Sequence, residues 1–450
     1  MRRMSFPTFM DSPAQWPGPA PHEADVVVIG GGVIGVCTAL FLARAGQRVV
    51  LLEKGRIAAE QSSRNWGWIR VQGRDPDEIP IVLEAADHWR ALAQQTNVDI
   101  GLRQEGVTYL AESEKDFAKY EAWLELARSY RLDSKMLSSA ETAKLIPNLS
   151  RRYSGSIYTA QDMRAEPWVA VPALAGIAVR EGATLVENCA VRGLDIEGGR
   201  VAGVITETGR IKAPQVVLAG GAWSSLFLQR HGVFVPQLSV RATVVATQPM
   251  DAVYEGGATD SSVAFRHRAD GGYSLAQGGF SELFVGPQAF RSLRHYATQL
   301  RADPFGVRLL PRAPAGYPDA WGTPRRWADD DVSPFEKMRV LNPTPNHRKA
   351  AKLLRQFAAM MPGLGEVRQA RTWAGMIDTM PDIVPVVDRV AAIPGLTVGT
   401  GMSGHGFGIG PGMGRVLAAL VTGDKVGHDL HRFRLSRFSD GSAMNLGPGI

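Results

Sequence analysis

The clearest pattern in the sequence is an apolar run that glycines interrupt. Residues 25–29 form a short β-branched run, which is typical of a strand buried on both faces of a parallel sheet. A helical pattern over 32–45 ends at Gly46, a residue that suits the left-handed end of a helix. Residues 48–52 predict a second strand, and Glu53 follows it directly. This order predicts one βαβ unit.

The rest of the chain alternates helices with strands and then becomes richer in strands. Helical spacing predicts helices over residues 81–96, 116–130, 167–180, 348–361 and 410–420. Ser138 and Glu141 form a capping-box pattern for a further short helix. Strand patterns cover residues 183–187, 191–197, 201–206, 210–218 and 395–401. The composition from 233 to about 284 indicates an antiparallel sheet, whereas residues 303–346 show no clear period.

The turn inside the βαβ unit carries a dinucleotide-binding pattern, Gly30-x-Gly32-x-x-Gly35. Gly30 permits a tight turn, Gly32 lets the backbone approach a pyrophosphate, and Gly35 lets the helix pack closely on the strand. The free N–H groups of the helix N-terminus bind phosphate, and Glu53 would accept hydrogen bonds from a ribose. A generic turn with a surface glutamate is the alternative. The contacts expected here are Gly30, Gly32, Val33, Ile34, Gly35, Glu53 and Lys54.

A polar and aromatic segment, Ser62-Ser-Arg-Asn-Trp-Gly-Trp-Ile-Arg70, follows the βαβ unit. Its hydroxyl, guanidinium and amide groups can donate to a pyrophosphate or to a cofactor ring, and Arg70 can hold a substrate carboxylate. Core packing of Trp66 and Trp68, and a structural ion pair of Arg70, are the alternatives. The residues expected to contact the cofactor are Ser62, Ser63, Arg64, Asn65 and Trp66.

Two more glycine clusters follow predicted strands. In the first, Ala219-Gly-Gly-Ala-Trp-Ser224, small residues either let the backbone pass near a dinucleotide or form a simple turn. The second, residues 399–412, places a glycine loop before a helix, whose N-terminus stabilises negative charge on a bound ring. His405 in this loop is either a base or a ligand, or it packs beside the ring and bonds the backbone, which we favour.

Composition narrows the class of protein. The 450 residues are 45% hydrophobic and 21% charged, as is ordinary for a globular protein. The net charge is +6, and the sequence has no long Lys/Arg run. Nucleic-acid binding is therefore not expected. The two cysteines indicate a reducing compartment and a cytoplasmic protein without a structural zinc site. Glycines interrupt the uncharged stretch 26–43, so we expect no transmembrane segment there. The net charge permits peripheral association with the cytoplasmic face of a membrane.

The order of these segments resembles the D-amino-acid oxidase superfamily of flavoenzymes, which includes glycine oxidase, sarcosine oxidase and D-amino-acid dehydrogenase. The resemblance covers about residues 24–435. It implies an α/β fold with a Rossmann-like FAD-binding domain and a second, mainly antiparallel-sheet substrate domain. The boundaries expected are 1–23 for a flexible arm, 24–75, 150–230 and 370–435 for the FAD-binding domain, 76–149 and 231–369 for the substrate domain, and 436–450 for a tail.

The reaction implied by the resemblance is oxidation of the C–N bond of an amino acid or a related primary or secondary amine. Hydride passes from the α-carbon to flavin N5, the imine hydrolyses, and O₂ or a respiratory quinone accepts the electrons. The further cofactor contacts expected are Val191, Ala219, Gly220, Trp223, Gly404, His405, Gly406, Phe407 and Gly408.

Departures from the family pattern sharpen these expectations. Sarcosine oxidases tether the flavin through a cysteine near residues 371–382; no cysteine lies there, which predicts FAD held non-covalently. They also carry a lysine where this chain has Gly408, so a sarcosine-type contact is in doubt.

Arg371 loosely matches the carboxylate-binding arginine of glycine-oxidase-like members and is the first candidate for the substrate anchor. The alternative anchors and a possible hydroxyl partner are Arg70, Arg268 and Tyr273.

Two other functions remain compatible with the sequence. One is an FAD enzyme of another class, such as an aromatic hydroxylase. The other is the flavin subunit of a multi-component dehydrogenase. Trp66, Trp68 and the segment 303–346 favour a pocket for a substrate larger than glycine.

Overall fold

The computed structural model describes residues 6–278, 281–304 and 306–447. Its α-helices are α1 (Val33–Arg44), α2 (Gln61–Arg64), α3 (Ile79–Ala93), α4 (Glu114–Ser129), α5 (Ser139–Leu145), α6 (Pro167–Arg180), α7 (Ser224–Arg230), α8 (Pro287–Ala302), α9 (Pro334–Lys337), α10 (His347–Met360) and α11 (Gly406–Thr422).

The strands up to residue 212 are β1 (Val26–Ile29), β2 (Val49–Leu52), β3 (Trp68–Ile69), β4 (Arg103–Gln104), β5 (Val107–Ala111), β6 (Ser134–Ser138), β7 (Gly155–Thr159), β8 (Met163–Arg164), β9 (Thr184–Val186), β10 (Val191–Glu197), β11 (Arg200–Thr206) and β12 (Gly209–Lys212). The later strands are β13 (Gln215–Leu218), β14 (Leu238–Thr247), β15 (Gly257–Thr259), β16 (Ala264–His267), β17 (Tyr273–Ala276), β18 (Ser281–Phe284), β19 (Val307–Leu310), β20 (Gln369–Thr379), β21 (Val386–Arg389) and β22 (Leu396–Thr400).

A six-stranded sheet with the order β21-β22-β13-β1-β2-β9 contains the predicted βαβ unit. Its pairs are parallel except for the antiparallel pair of β21 with β22. Helix α11 packs closely on α1, because a Cβ built at Gly414 would lie 2.4 Å from Cys37 Cβ. The same helix packs on α3, since a Cβ at Gly412 would lie 2.6 Å from the carbonyl oxygen of Ile81. Helix α11 begins at Gly406, four residues earlier than predicted.

The predicted strand 210–218 is divided between two sheets. Its first part, β12, pairs antiparallel with β11 in the three-stranded sheet β10-β11-β12. Its second part, β13, pairs with β1 and β22. Pro214 lies between the two parts and has no N–H group to donate to a continuous ladder.

The second large sheet of the molecule has ten strands. Strands β14 and β20 form its long antiparallel pair, in which Val244 faces Trp373. The parallel pair of β5 with β15 joins the β5-β7-β6 group to the later strands. Strands β7 and β20 belong to this sheet, although the boundaries expected from sequence assign residues 150–230 and 370–435 to the nucleotide-binding part.

Helix α8 has an inverted pattern of burial. Ser292 and His295 are buried, whereas Phe290, Leu293 and Leu300 are 61%, 57% and 45% exposed.

Within the described ranges, no helix has the length and apolarity that a membrane span requires.

The described residues near both ends of the chain pack against the fold. In the predicted flexible arm, Phe6 stacks on Trp168 with ring centroids 4.3 Å apart. In the predicted tail, the Arg437 guanidinium is buried and donates to both carboxylate oxygens of Asp382, at 2.9 and 3.1 Å. The described part of the arm is therefore docked, and the tail begins with a buried ion pair.

Candidate active site

A groove of about 890 Å³ runs from the carboxyl ends of the parallel strands to the ten-stranded sheet. The turn after β1, the end of β2 and the loop 58–66 line one part of it. The segments 218–221 and 399–407 complete this part, so all three predicted glycine clusters meet at one cavity. In open α/β sheets, ligands bind outside the carboxyl ends of the strands.

The first glycine cluster has three different geometrical requirements. Gly30 has a φ of +109°, and a Cβ there would lie 2.5 Å from the carbonyl oxygen of Ala219. A Cβ at Gly35 would lie 1.9 Å from the carbonyl oxygen of Gly30. At Gly32, by contrast, the nearest atom to a Cβ would be Ser62 Oγ at 3.2 Å. Gly30 and Gly35 are therefore required by packing, whereas Gly32, which precedes α1, leaves the backbone accessible from the groove.

Glu53 lies at the end of β2 and lines the groove. Its two carboxylate oxygens accept hydrogen bonds from the N–H groups of Gly31 and Gly55, both at 2.7 Å. Burial raises the pKa of Glu53. The neighbouring Lys54 ammonium donates to Glu60 at 2.7 Å and lies 4.4 Å from the ring centroid of Trp223. Glu53 is thus fixed against the glycine turn, as a ribose-binding carboxylate requires.

The segment 62–66 supplies polar groups to the same part of the groove. Ser62 Oγ accepts a hydrogen bond from the Val33 N–H at 2.9 Å, which satisfies one free donor of α1. The buried Ser63 faces the arm, where its hydroxyl accepts from the Thr8 N–H at 3.2 Å. Asn65 also lines the groove, but its Oδ1 already accepts a hydrogen bond from the Gly67 N–H at 2.7 Å.

Arg64 is a buried cation in the wall of the groove. Its Nε donates to the carbonyl of Ala59 at 3.0 Å, and its Nη1 donates to the carbonyl of Ala374 at 2.9 Å. Burial lowers the pKa of Arg64 to about 10. In the part of the chain that the structure describes, its buried Nη2 has no hydrogen-bond partner.

The third glycine cluster brings His405 beside a buried carboxylate. His405 Nδ1 lies 3.6 Å from Glu78 Oε2. Burial and the charge of Arg74 lower the pKa of His405 to about 4. Burial opposes ionisation of Glu78, but its interaction with His405 lowers the pKa of that carboxyl. The groove is lined here by Gly404, Gly406 and Phe407. Gly408 is not part of the lining, and its carbonyl accepts a hydrogen bond from Trp89 Nε1 at 2.9 Å.

The far part of the groove combines aromatic walls with two guanidinium groups. Trp66 and Trp68 meet edge to face at 5.3 Å. The Arg70 guanidinium lies 5.9 Å from the ring of Trp68 and 5.5 Å from that of Tyr109. Burial and the charge of Arg70 lower the pKa of Arg74 to about 9. Among the described residues, no acceptor lies within hydrogen-bonding reach of Arg74 Nη1.

The other three candidates for substrate contacts lie outside the groove lining. Arg371 is at the start of β20, with its guanidinium 5.1 Å from the ring of Phe9. Arg268 is buried and donates to the carbonyls of Tyr273 and Thr247, at 2.5 and 2.9 Å. The Tyr273 hydroxyl donates to the carbonyl of Tyr254 at 3.0 Å inside the core. These contacts favour structural roles for Arg268 and Tyr273.

Asp378 on β20 lines the groove and was not predicted from the sequence. Its carboxylate accepts from the Gly401 N–H at 2.8 Å and from Gln237 Nε2 at 3.1 Å. Burial raises the pKa of Asp378 to about 6. The sequence carries no local motif for it, because its partners come from distant segments.

The groove fits a flavin dinucleotide in three respects. The glycine turn, which an added Cβ would obstruct, is of the type that approaches a pyrophosphate. Arg64 offers a buried donor without a partner to an anionic or carbonyl group. Val191, Ala219, Gly220 and Trp223 line the part of the groove that contains Glu53.

Comparison with known proteins agrees with this geometry. Residues 25–420 match the family described as FAD dependent oxidoreductase (DAO). The chain belongs to this family. Membership confirms the resemblance to the D-amino-acid oxidase superfamily, the α/β fold class and FAD as the cofactor, and it supports amine oxidation over the aromatic hydroxylase alternative.

Individual members of the DAO family resemble this chain along most of its length. The mitochondrial sarcosine dehydrogenase of Mus musculus is 27% identical over 93% of this chain, which spans only 42% of that protein. Sarcosine oxidase subunit beta of Arthrobacter sp is 26% identical over 96% of this chain and 95% of its own. The structure of the L-amino acid deaminase from Proteus myxofaciens, at 27% identity, superposes with a TM-score of 0.90 over 97% of both chains.

Proposed function

We propose that this chain oxidises the C–N bond of an amino acid that has a free carboxylate and a side chain larger than that of glycine. The observation that carries the proposal is one continuous groove with a dinucleotide turn in one part and two guanidiniums among aromatic rings in another. Relatives named for sarcosine, glycine and L-amino acids support an amino acid or N-methyl amino acid substrate. FAD, when bound, supplies the hydride acceptor.

The residues of the chain bind and orient the substrate. Arg70, with Arg74 behind it, is suited to the substrate carboxylate, because a guanidinium donates two parallel hydrogen bonds to a carboxylate. Trp66, Trp68 and Tyr109 would enclose the side chain and exclude water. Burial lowers the pKa of His405 to about 4, so this residue lines the groove as a neutral side chain that could accept a hydrogen bond from a bound group.

We further propose that FAD is held non-covalently. The chain has two cysteines. Cys37 is fully buried in α1. Cys189 lines the part of the groove near Glu53, where its N–H donates to the Glu53 carbonyl at 2.9 Å. Acid precipitation should therefore leave the yellow colour in the supernatant; a yellow protein pellet would refute non-covalent binding.

An exposed apolar and basic surface supports peripheral membrane association and a membrane-bound quinone as the electron acceptor. It consists of the outward face of α8 and the nearby residues, Phe290, Leu293, Leu300, Leu309 and Trp321 with Arg291, Arg294, Arg301, Arg308 and Arg312. Phe290 and Trp321 contact each other, with ring centroids 5.9 Å apart. Aromatic and aliphatic side chains beside arginines are typical of surfaces that bind anionic lipid. The remainder of the chain would then face a cytoplasmic compartment.

A second candidate function is that of a flavin subunit in a larger complex. The relative from Arthrobacter sp is named as a subunit, and it is matched over nearly its whole length. If this candidate is correct, substrate would reduce the flavin of the isolated chain, but turnover would require a partner protein.

The decisive experiment is anaerobic reduction of the bound flavin by a panel of D-, L- and N-methyl amino acids. Bleaching near 450 nm reports hydride transfer whatever the acceptor, and the most effective substrate should have a large apolar side chain. Glycine and its N-methyl derivative serve as small controls. Failure of the entire panel with an FAD-loaded chain would overturn the proposed reaction.

A further inference from the structure

Residues 6–16, which belong to the described part of the arm, lie along the segment 55–65, and several residues of that segment line the groove. We call residues 6–16 the N-terminal strap. The Thr8 N–H donates to Ser63 Oγ at 3.2 Å. Arg56 Nε donates to the carbonyl of Ser12 at 2.7 Å. The Glu187 carboxylate accepts from the N–H groups of both Trp16 and Ile57, at 3.1 and 2.7 Å. The strap is thus attached to the loop at several points.

Phe9 is the strap residue that meets Arg64. Its ring centroid lies 5.3 Å from the Arg64 guanidinium carbon and 5.1 Å from that of Arg371. Both distances are within the range in which a cation is attracted to an aromatic face. The attraction should be stronger for Arg64, because this side chain is buried and a cation–π contact gains strength when the cation is desolvated.

One nitrogen of the same guanidinium, Nη2, makes no hydrogen bond to the described residues. Two of its nitrogens donate to Ala59 and Ala374 carbonyls, and Nη1 also donates to Asn342 at 2.7 Å. Arg64 lines the groove, and its Nη2 is buried and, among the described residues, has no partner. A buried donor without a partner costs free energy, which a ligand that accepts from it would recover.

The strap also lies before the part of the chain that matches the DAO family, since the match begins at residue 25. The contacts between Phe9 and Arg64 therefore come from a segment that the family pattern does not include. Any effect of Phe9 on the cofactor would be a property of this chain's own arm.

We propose that the N-terminal strap positions the cofactor site: Phe9 holds the Arg64 guanidinium in its place in the wall of the groove that would bind FAD. The inference rests on FAD occupying the groove. Phe9 would be a positioning residue, because it contacts Arg64 and does not itself line the groove.

The test is a Phe9→Ala variant of the full chain, stripped of flavin and titrated with FAD. The dissociation constant of FAD should rise about two- to thirtyfold, the range that one cation–π contact gives. The melting temperature of the apoprotein should change little, while the rise in melting temperature on adding FAD should shrink. A purely structural role would instead lower the melting temperature of the apoprotein and leave FAD affinity unchanged.

Three further variants separate the explanations. Met10→Ala removes the neighbouring side chain, which is 37% exposed, and should bind FAD as the wild type does. Phe9→Tyr keeps the aromatic face and should also bind normally, whereas Phe9→Leu keeps the apolar bulk and should resemble Phe9→Ala. Wild-type affinity in Phe9→Ala or Phe9→Leu would overturn the proposal. A wild-type chain that binds no FAD would overturn the cofactor assignment as well.

Discussion

The carbonyl oxygen of Gly30 lies so close to Gly35 that a Cβ at residue 35 would be only 1.9 Å from it. This contact joins the end of β1 to the first turn of α1, and it fixes the helix N-terminus at the groove. The position of the N–H groups at the start of α1 therefore depends on the absence of one methyl group at residue 35.

Replacement of Gly35 by alanine should displace α1 and weaken FAD binding. We expect a loss of about 1–3 kcal/mol in the free energy of unfolding, as for other overpacked sites, and a chain purified without flavin. Thermal unfolding and the ratio of flavin to protein absorbance measure both effects. Gly176→Ala is the matched control, because a Cβ there would meet only the Arg180 guanidinium at 3.7 Å and alanine favours helix α6. Normal flavin content in Gly35→Ala would contradict the account.

Two arginines can be compared directly as the substrate anchor. Arg70→Ala should lower kcat/KM for amino acids about ten- to hundredfold through a higher KM, because charged hydrogen bonds to the carboxylate are lost. Arg371→Ala should have a much smaller effect, since Arg371 does not line the groove. Steady-state kinetics with one substrate decide between them. The opposite ranking would return Arg371 to the role that the family resemblance implied.

The apolar surface of α8 should bind vesicles that contain anionic lipid. Replacing Phe290 and Leu293 together by serine should reduce binding on the order of tenfold or more, because two exposed apolar side chains no longer enter the lipid. Co-sedimentation with vesicles of phosphatidylserine and phosphatidylcholine measures the change. The control replaces Val98 and Ile196, which are 53% and 43% exposed elsewhere, by serine. Equal binding by the two double variants would argue against this surface.

The stability of the apoprotein should depend on pH through His405. Its pKa is about 4 in the folded chain, and 6.5 is the usual value, so between these values the unfolded chain binds more protons. The free energy of unfolding should therefore fall as pH drops from about 6.5 to 4. The pKa of Glu78 is also lowered in the folded chain, so protonation of this carboxyl at lower pH should reduce the free energy of unfolding further.

The measurement is the melting temperature of the apoprotein between pH 4 and 7.5, for wild type and His405→Asn. The variant should show a smaller decrease, because asparagine does not titrate. Parallel curves for the two proteins would show that other groups, and not His405, determine the acid side of the profile.

The sequence predicts the geometry of the glycine turn well because its requirements are local. Gly30, Gly32 and Gly35 stand within six residues, and the backbone conformation of each follows from its place between strand and helix. The fold class follows from the same region and from the order of the later segments. The capping box of Ser138 and Glu141 is confirmed for the same reason.

Features that depend on distant contacts are not visible in the sequence. Asp378 meets Gln237, which is 141 residues away, and Gln237 also donates to Thr400 at 2.8 Å across 163 residues. Arg268 was a candidate substrate anchor, yet its Nη1 donates to the carbonyl of Tyr273 and its Nη2 donates to Asp270. Helix α8 was not predicted because its apolar residues face solvent and its buried face is polar, which reverses the usual pattern.

The strand order of the six-stranded sheet has a consequence for synthesis of the chain. Strand β13 lies between β1, from residues 26–29, and β22, from residues 396–400. A ribosome must therefore synthesise the chain as far as β22 before this sheet can close, and until then β13 has one unpaired edge. Capture of the nucleotide is thus a late event in the life of the nascent protein, and chaperones are expected to shield the free edge of β13 until then.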